Sequence, residues 1–166
     1  GKELPPIVAE TDDVIVLCKP SGLPVHPGTG HTDSLTTRLE AAFAGLPFIP
    51  APVHRLDRDT SGLMMFAKDE KTQRTLRDNW HEIVTDRRYV AVVEGTMEKD
   101  YDTVVSWLTD KTLYVSSSEY DDGGSKSITH YRTIKRANGY SLLELDLETG
   151  RKNQIRVHVQ DLGHPI

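Results

Sequence analysis

The segment that most restricts the fold is residues 142–148, in which leucines alternate with acidic residues. Leucine occupies positions 143, 145 and 147, and an acid occupies positions 144, 146 and 148. A period of two places the leucines on one face of a strand and the acids on the other. This segment is therefore predicted to be a half-buried strand.

Other segments show strand or helix patterns of their own. Runs of β-branched and apolar residues predict strands at residues 14–17, 63–67, 87–95, 113–115 and 127–135. Apolar residues at helical spacing predict a helix after Asp33 that ends at Gly45 and Pro47, and a surface helix from Asp69 to about Trp80. A third helix is predicted over residues 151–162.

Proline, glycine and aspartate mark the connections. Residues 20–30 hold three prolines and three glycines, which predicts a loop, and the DDGG run at 121–124 predicts a hairpin turn between two strands. Strands outnumber helices, and few of them alternate with helices in a βαβ order. The predicted class is therefore α+β, with a mainly antiparallel mixed sheet and flanking helices.

Composition narrows the class of protein. The chain has 166 residues and is 37% hydrophobic, which predicts one domain over residues 1–166. No apolar run approaches the ~20 residues of a membrane span. The single Cys18 excludes an internal disulfide and a thiolate zinc cluster, and it agrees with a cytoplasmic location. The net charge of -5 argues mildly against a surface that binds nucleic acid everywhere.

Residues 54–63, HRLDRDTSGL, form the densest cluster of charge beside a strand. Such charges must be paired or solvated, because burying an unpaired ion costs several kcal/mol. Without further information this run is equally well interpreted as a solvated loop before a strand. A metal site formed by His54, His158 and His164 with Asp57 or Asp59 is a weaker alternative, since their spacing fits no standard ligand pattern.

Four motifs together resemble the RluA-type RNA pseudouridine synthases. Residues 54–57 (HRLD) with 60–63 (TSGL) resemble the family signature, and residues 87–91 (RRYVA) resemble its second motif. The third motif is resembled by residues 149–158 (TGRKNQIRVH) with 162–166 (LGHPI), and the usual opening by residues 13–26. The resemblance spans nearly the whole chain, with the motifs in the expected order.

The resemblance implies a pseudouridine synthase catalytic fold and the isomerisation of uridine in ribosomal or transfer RNA, with no cofactor and no metal. Asp57 would be the catalytic carboxylate and must be ionised to act as nucleophile or base. Arg156 would supply a compensating cation, and Tyr89 would stack on the detached uracil. Arg55 would stabilise RNA with the target base turned out of its stack.

Further residues of these motifs are predicted to bind the RNA substrate. Arg151 and Lys152 are placed where a helix begins, a position suited to backbone phosphates. The full predicted substrate-binding set is Arg55, His54, Arg58, Arg151, Lys152 and Gln154.

The chain departs from the family pattern in two places. Lys152 and Asn153 stand where the family usually has Thr-His, which is expected to alter RNA contacts and leave the chemistry intact. The family's catalytic domain also continues beyond the element at residues 162–166, so the domain in this chain is predicted to be incomplete at its C-terminal side. A non-catalytic RNA-binding module and a metal-dependent phosphodiesterase are the alternative functions, and the oligomeric state is open.

Overall fold

The computed structural model describes residues 3–29, 32–111 and 114–166. Contacts along the chain divide it into two compact units, Gly1–Ile83 and Val84–Ile166. The interpretation of residues 1–166 as one catalytic domain stays a prediction. No helix in the described part of the chain has the length and apolar character needed to span a bilayer.

The first unit contains a four-stranded antiparallel sheet. Its strands are β1 (Ile7–Glu10), β2 (Val14–Lys19), β3 (Ala51–Pro52) and β4 (Gly62–Ala67), in the order β1-β2-β4-β3. The predicted strands β2 and β4 are confirmed, and they carry the buried core side chains Ile15, Leu17, Met64 and Phe66. Strands β1 and β3 were not predicted, because β1 is exposed at all four positions and β3 has only two residues.

The helices of the first unit are α1 (Leu35–Ala42), α2 (Glu70–Asp78) and the single turn α3 (Trp80–Ile83). The prediction that Asp69 opens α2 is confirmed, since its carboxylate accepts a hydrogen bond from the Thr72 amide at 2.7 Å. No residue of α2 is buried, as expected for a surface helix.

The predicted cap of α1 was wrong by one residue. Ser34, not Asp33, is the N-cap, and its hydroxyl accepts a hydrogen bond from the Thr37 amide while the Thr37 hydroxyl accepts one from the Ser34 amide. Asp33 instead forms a two-pronged ion pair with Arg38 at 2.8 and 3.0 Å. The reciprocal cap uses both hydroxyls, and this leaves the carboxylate for the arginine. The helix also ends at Ala42, before the predicted Gly45.

The second unit contains a five-stranded antiparallel sheet. Its strands are β5 (Arg88–Glu94), β6 (Tyr101–Asp110), β7 (Val115–Ser118), β8 (Ser125–Ala137) and β9 (Tyr140–Leu147), in the order β5-β9-β8-β6-β7. The half-buried strand predicted from the leucine alternation is confirmed as β9, whose Leu143 and Leu145 are fully buried. Every strand pair in the described residues is antiparallel, and the α+β class is confirmed.

Two predictions about the middle of the second unit were wrong. Strand β6 was missed, although it is the partner of both β7 and β8. Residues 121–124 therefore do not close a hairpin, because β7 and β8 lie on opposite sides of β6 and do not pair. Of the strand predicted at 113–115, Leu113 lies outside the described residues, and β7 begins at Val115.

Helix α4 (Gln154–Asp161) begins three residues later than predicted. Asn153, in the left-handed conformation with a φ of 55°, precedes it without a side-chain cap. Arg151 and Lys152 consequently lie in the turn before the helix, although both were predicted to lie within it. Val159 of α4 is buried in the core of this unit with Val93, Met97, Tyr131, Leu143 and Leu145.

Candidate active site

Asp57 lies in the loop that connects β3 to β4 in the first unit. Val53 and Leu56 of this loop are buried, Asp57 is half-buried, and Arg55 and Arg58 are exposed. The apolar side chains anchor the loop in the core. The charged residues predicted for the site therefore lie toward solvent, where an anionic polymer can reach them.

A buried lysine is hydrogen-bonded to the backbone of this loop. Lys19, the last residue of β2, is 0% exposed, and its ammonium donates hydrogen bonds to the carbonyl oxygens of Pro20 (2.9 Å), Leu23 (2.8 Å) and Arg58 (2.8 Å). An ammonium has three donors and no acceptor, so these three bonds satisfy it completely. Two motifs distant in sequence, residues 19–23 and the 54–63 run, are joined at one atom.

Two further bonds join the same two loops. The Gly22 amide donates to the Arg58 carbonyl at 2.8 Å, and the Ser21 hydroxyl donates to the Asp59 carbonyl at 2.9 Å. Gly22 has a φ of 90°, a conformation that suits glycine. The backbone that directly follows Asp57 is thus held by the loop after β2.

The charge of Lys19 is balanced by its position beside acids. Burial lowers the pKa of the ammonium from its ordinary value, and the carboxylates of Asp59 and Asp57 act in the opposite direction. With three carbonyl oxygens also facing the ammonium, the protonated form is the one these bonds require. A positive charge therefore lies within electrostatic range of Asp57.

His54 was predicted to bind substrate. In the structure its ring makes contacts within the first unit. Its Nε2 accepts a hydrogen bond from the Met65 amide at 3.1 Å, and its ring stacks on Trp80 with centroids 4.6 Å apart. Because a backbone amide can only donate, Nε2 carries no proton and the ring is neutral. Burial lowers the pKa of His54 to about 4, in agreement with this assignment. These contacts attach the start of the loop to β4 and α3.

The predicted residues of the second unit lie on β5, on α4 and in the turn before α4. Tyr89 is half-buried on β5 and packs against the core of this unit, and Arg156 is half-buried on α4. The Arg151 guanidinium donates to the Lys126 carbonyl at 3.3 and 3.4 Å, and Lys152 lies 3.7 Å from Asp110. Arg151 and Lys152 are both exposed, so each can meet a phosphate.

Gln154 differs from the other predicted substrate-binding residues because it is only 2% exposed. Its amide oxygen accepts from the Arg151 amide and the Thr149 hydroxyl, and its amide nitrogen donates to the Ile128 carbonyl and the Thr129 hydroxyl. A primary amide has two donors and two acceptor lone pairs, and all four are used. The structure thus leaves this amide no free hydrogen-bonding capacity for RNA.

The structure brings the predicted site residues together in two groups. His54, Arg55, Asp57 and Arg58 share one loop of the first unit, and Arg151, Lys152, Gln154 and Arg156 share one turn and helix of the second. That Asp57, Tyr89 and Arg156 act in one pocket stays a prediction. Within the described residues, no three His, Cys, Asp or Glu side chains are grouped as metal ligands would be.

Sequence reasoning missed several residues that support these groups. Lys19 was noted only as part of the opening motif at residues 13–26, with no role of its own, and Ser106 and Thr129 were not considered. His158 was weighed as a metal ligand, but it is fully buried and bonded to those two hydroxyls at 2.7 and 2.8 Å. A lysine at the end of a buried strand was the one available signal, because single hydroxyls within strands carry none.

Comparison with known proteins supplies a family. The sequence model described as RNA pseudouridylate synthase matches residues 13–161. An uncharacterized RNA pseudouridine synthase, YlyB, of Bacillus subtilis is 36% identical over 166 residues, covering 96% of this chain and 55% of that protein. Ribosomal large subunit pseudouridine synthase D of Neisseria meningitidis serogroup A is 39% identical over 163 residues, covering 96% and 44%. The chain spans about half the length of the curated relatives it matches.

Solved structures agree at the level of the fold. Human RNA pseudouridylate synthase domain containing 1 aligns with a TM-score of 0.80 at 21% identity, covering 99% of this chain and 68% of the human chain. The human domain containing 4 protein aligns with a TM-score of 0.77 at 23% identity, covering 96% and 66%. At this level of identity the two structures support the fold alone.

Proposed function

Because the chain belongs to the RNA pseudouridylate synthase family, we propose that it converts uridine to pseudouridine within RNA. The observation that carries the proposal is that Asp57, within the matched region, lies on a loop whose backbone is bonded to Lys19. In the proposed reaction the N1–C1′ bond breaks, the uracil turns, C5 bonds to C1′, and the proton on C5 moves to N1 or to solvent. The reaction is an isomerisation and consumes no co-reactant.

Asp57 acts in this proposal as the carboxylate that attacks C1′ or removes a proton from the sugar. Either role requires the ionised form, which a nearby cation stabilises. The buried ammonium of Lys19 provides one such charge. Arg156 provides the second by a two-pronged guanidinium-carboxylate pair, and Tyr89 stacks on the free uracil while it turns.

RNA is bound through the exposed cations. Arg55 and Arg58 flank Asp57 and hold the strand with the target base turned out, which costs a few kcal/mol of stacking. Arg151 and Lys152 bind backbone phosphates and position the RNA without reading its sequence. We propose large-subunit ribosomal RNA as the substrate, since several relatives are named ribosomal large subunit pseudouridine synthase D. Transfer RNA is the alternative, and a cytoplasmic location stays a prediction.

The test is release of tritium from RNA labelled at C5 of uridine, with large-subunit ribosomal RNA and bulk transfer RNA assayed separately. We expect release by the wild-type protein, and a loss of at least about 1000-fold in Asp57→Asn, because the amide can neither attack nor accept a proton. RNA affinity should remain within about twofold, since Asn keeps the shape of the side chain.

Asp78→Asn is the matched control, because it removes an exposed carboxylate of α2, outside the Asp57 loop, and should keep most of the activity. Equal activity of Asp57→Asn and wild type would contradict the proposal. RNA binding without release by any protein would favour a binding module. Cleavage of the RNA that stops in chelator, without release of tritium, would favour the metal-dependent phosphodiesterase.

A further inference from the structure

A series of hydrogen bonds runs through the interior of the second unit. Backbone groups determine which atoms donate and which accept at Gln154. The Arg151 amide can only donate and the Ile128 carbonyl can only accept, so Gln154 presents its oxygen to the first (3.0 Å) and its nitrogen to the second (3.1 Å). The remaining N–H of Gln154 donates to the Thr129 hydroxyl at 2.8 Å. The orientation of this amide is therefore determined by the backbone.

Beyond Gln154 the direction depends on the tautomer of His158. The Thr129 oxygen accepts from Gln154, and its own proton faces Nδ1 of His158 at 2.8 Å. In the tautomer that gives this proton an acceptor, Nδ1 is unprotonated and Nε2 donates to the Ser106 hydroxyl at 2.7 Å. Burial lowers the pKa of His158, which favours this neutral ring. All four side chains are at most 4% exposed.

This series of hydrogen bonds connects the turn before α4 to the inside of the sheet. Gln154 and His158 are four residues apart, so they lie on the same face of α4, and Thr129 lies between them on β8. Arg156 is two residues beyond Gln154, which places it about 200° around the helix axis. The face of α4 opposite Arg156 is thus held by hydrogen bonds. Hydrogen bonds are directional, whereas apolar packing is not.

We propose that Thr129 is a positioning residue, whose hydroxyl links Gln154 to His158 and thereby holds the Arg151 turn and helix α4 in the orientation that binds RNA. Neither Thr129 nor Ser106 belongs to any motif of the sequence. The inference rests on the proposed function for its kinetic readout, and on the hydrogen-bond directions for its structural one.

The test compares Thr129→Val with Thr129→Ser in the full protein. Val keeps the branched shape that suits a strand and removes the hydroxyl, whereas Ser keeps the hydroxyl and removes a methyl group. The probe is large-subunit ribosomal RNA labelled with tritium at C5 of uridine, used for kinetics and for direct binding. Nitrogen-15 chemical shifts of the His158 ring report which nitrogen carries the proton.

We expect Thr129→Val to raise KM and the Kd for RNA about tenfold with kcat within about threefold, because the turn that carries Arg151 loses its fixed position. Thr129→Ser should remain within about threefold of wild type in both constants. Wild type should show a proton on Nε2 and none on Nδ1, and Thr129→Ser should keep that pattern.

Wild-type Kd in a folded Thr129→Val protein would overturn the inference, as would a protonated Nδ1 in the wild type. Equal losses in the Val and Ser variants would overturn it as well, since the hydroxyl would then be irrelevant. If the wild type releases no tritium, the proposed function fails, and the Kd values and the His158 shifts still decide the role of Thr129.

Discussion

The Asp57 loop and the Arg151 turn are each hydrogen-bonded to a buried polar side chain, and the two side chains differ in charge and in bonding capacity. The Asp57 loop of the first unit lies on the Lys19 ammonium, which is charged and only donates hydrogen bonds. The Arg151 turn of the second unit lies on the Gln154 amide, which is neutral and both donates and accepts. Each side chain is at most 2% exposed and fully bonded.

The difference follows from the backbone groups that each segment leaves without a partner. Residues 20–23 and 58 offer carbonyl oxygens, and a residue that only donates can satisfy several of them at once. The Arg151 turn offers an N–H, and the neighbouring strand offers a carbonyl, so an amide fits both. Irregular loops can therefore be made rigid by matching the buried residue to their orphaned groups.

Replacing Lys19 should give the largest loss of stability. We expect Lys19→Met to lower the free energy of unfolding of the first unit by about 4 kcal/mol, because three carbonyl oxygens lose a donor and the bond to Leu23 is buried. Urea unfolding would measure this, with Lys71→Met, an exposed lysine of α2, as the control for the lost charge. Equal midpoints for the two variants would show that the three carbonyl bonds contribute nothing.

Replacing Gln154 should have a somewhat smaller effect, because no charge is involved. We expect Gln154→Leu to lower the free energy of unfolding by about 3 kcal/mol, since the Arg151 amide and the Thr129 hydroxyl lose a partner. Gln160→Leu is the matched control on the exposed side of α4. A loss of stability in Gln160→Leu as large as that in Gln154→Leu would contradict the assignment.

Acid should weaken the first unit through His54. The folded pKa of about 4 lies below the ordinary 6.5, so the contribution is complete above about pH 6.5 and is lost as the pH falls toward 4. We expect about 2 kcal/mol to disappear between pH 7.5 and 5. His54→Phe, which retains an aromatic ring against Trp80, should lack this loss.

The measurement is the difference in unfolding free energy between wild type and His54→Phe at each pH. Taking this difference removes the contribution of His158, which burial shifts in the same direction in both proteins. A difference that does not change with pH would mean that His54 is protonated equally in the folded and unfolded states.

Local patterns were sufficient for the elements whose burial follows a simple period. Strand β9 was recognised from its alternating leucines and β5 from its β-branched run, while Asp69 was recognised as the cap of α2. In each case the signal lies in residues that are close together along the chain. The same holds for the motifs that resemble the family, because their residues are contiguous.

Elements that depend on distant partners were misjudged. Strand β6 was missed because its residues gain their strand identity by pairing with β7 and β8, and the turn at 121–124 was misread for the same reason. The cap of α1 was misjudged for a different, local reason: Ser34 and Thr37 cap the helix reciprocally, while the Asp33 carboxylate binds Arg38.

The candidate site divides in the same way. Asp57, Tyr89 and Arg156 could be named from the sequence, because a resemblance between motifs is a property of the chain alone. Tertiary structure decided that Gln154 faces the interior, that Lys19 bonds to the Asp57 loop and that Thr129 bonds to Gln154. These hydrogen bonds form only when strands and loops far apart in sequence are packed together, and no local pattern encodes them.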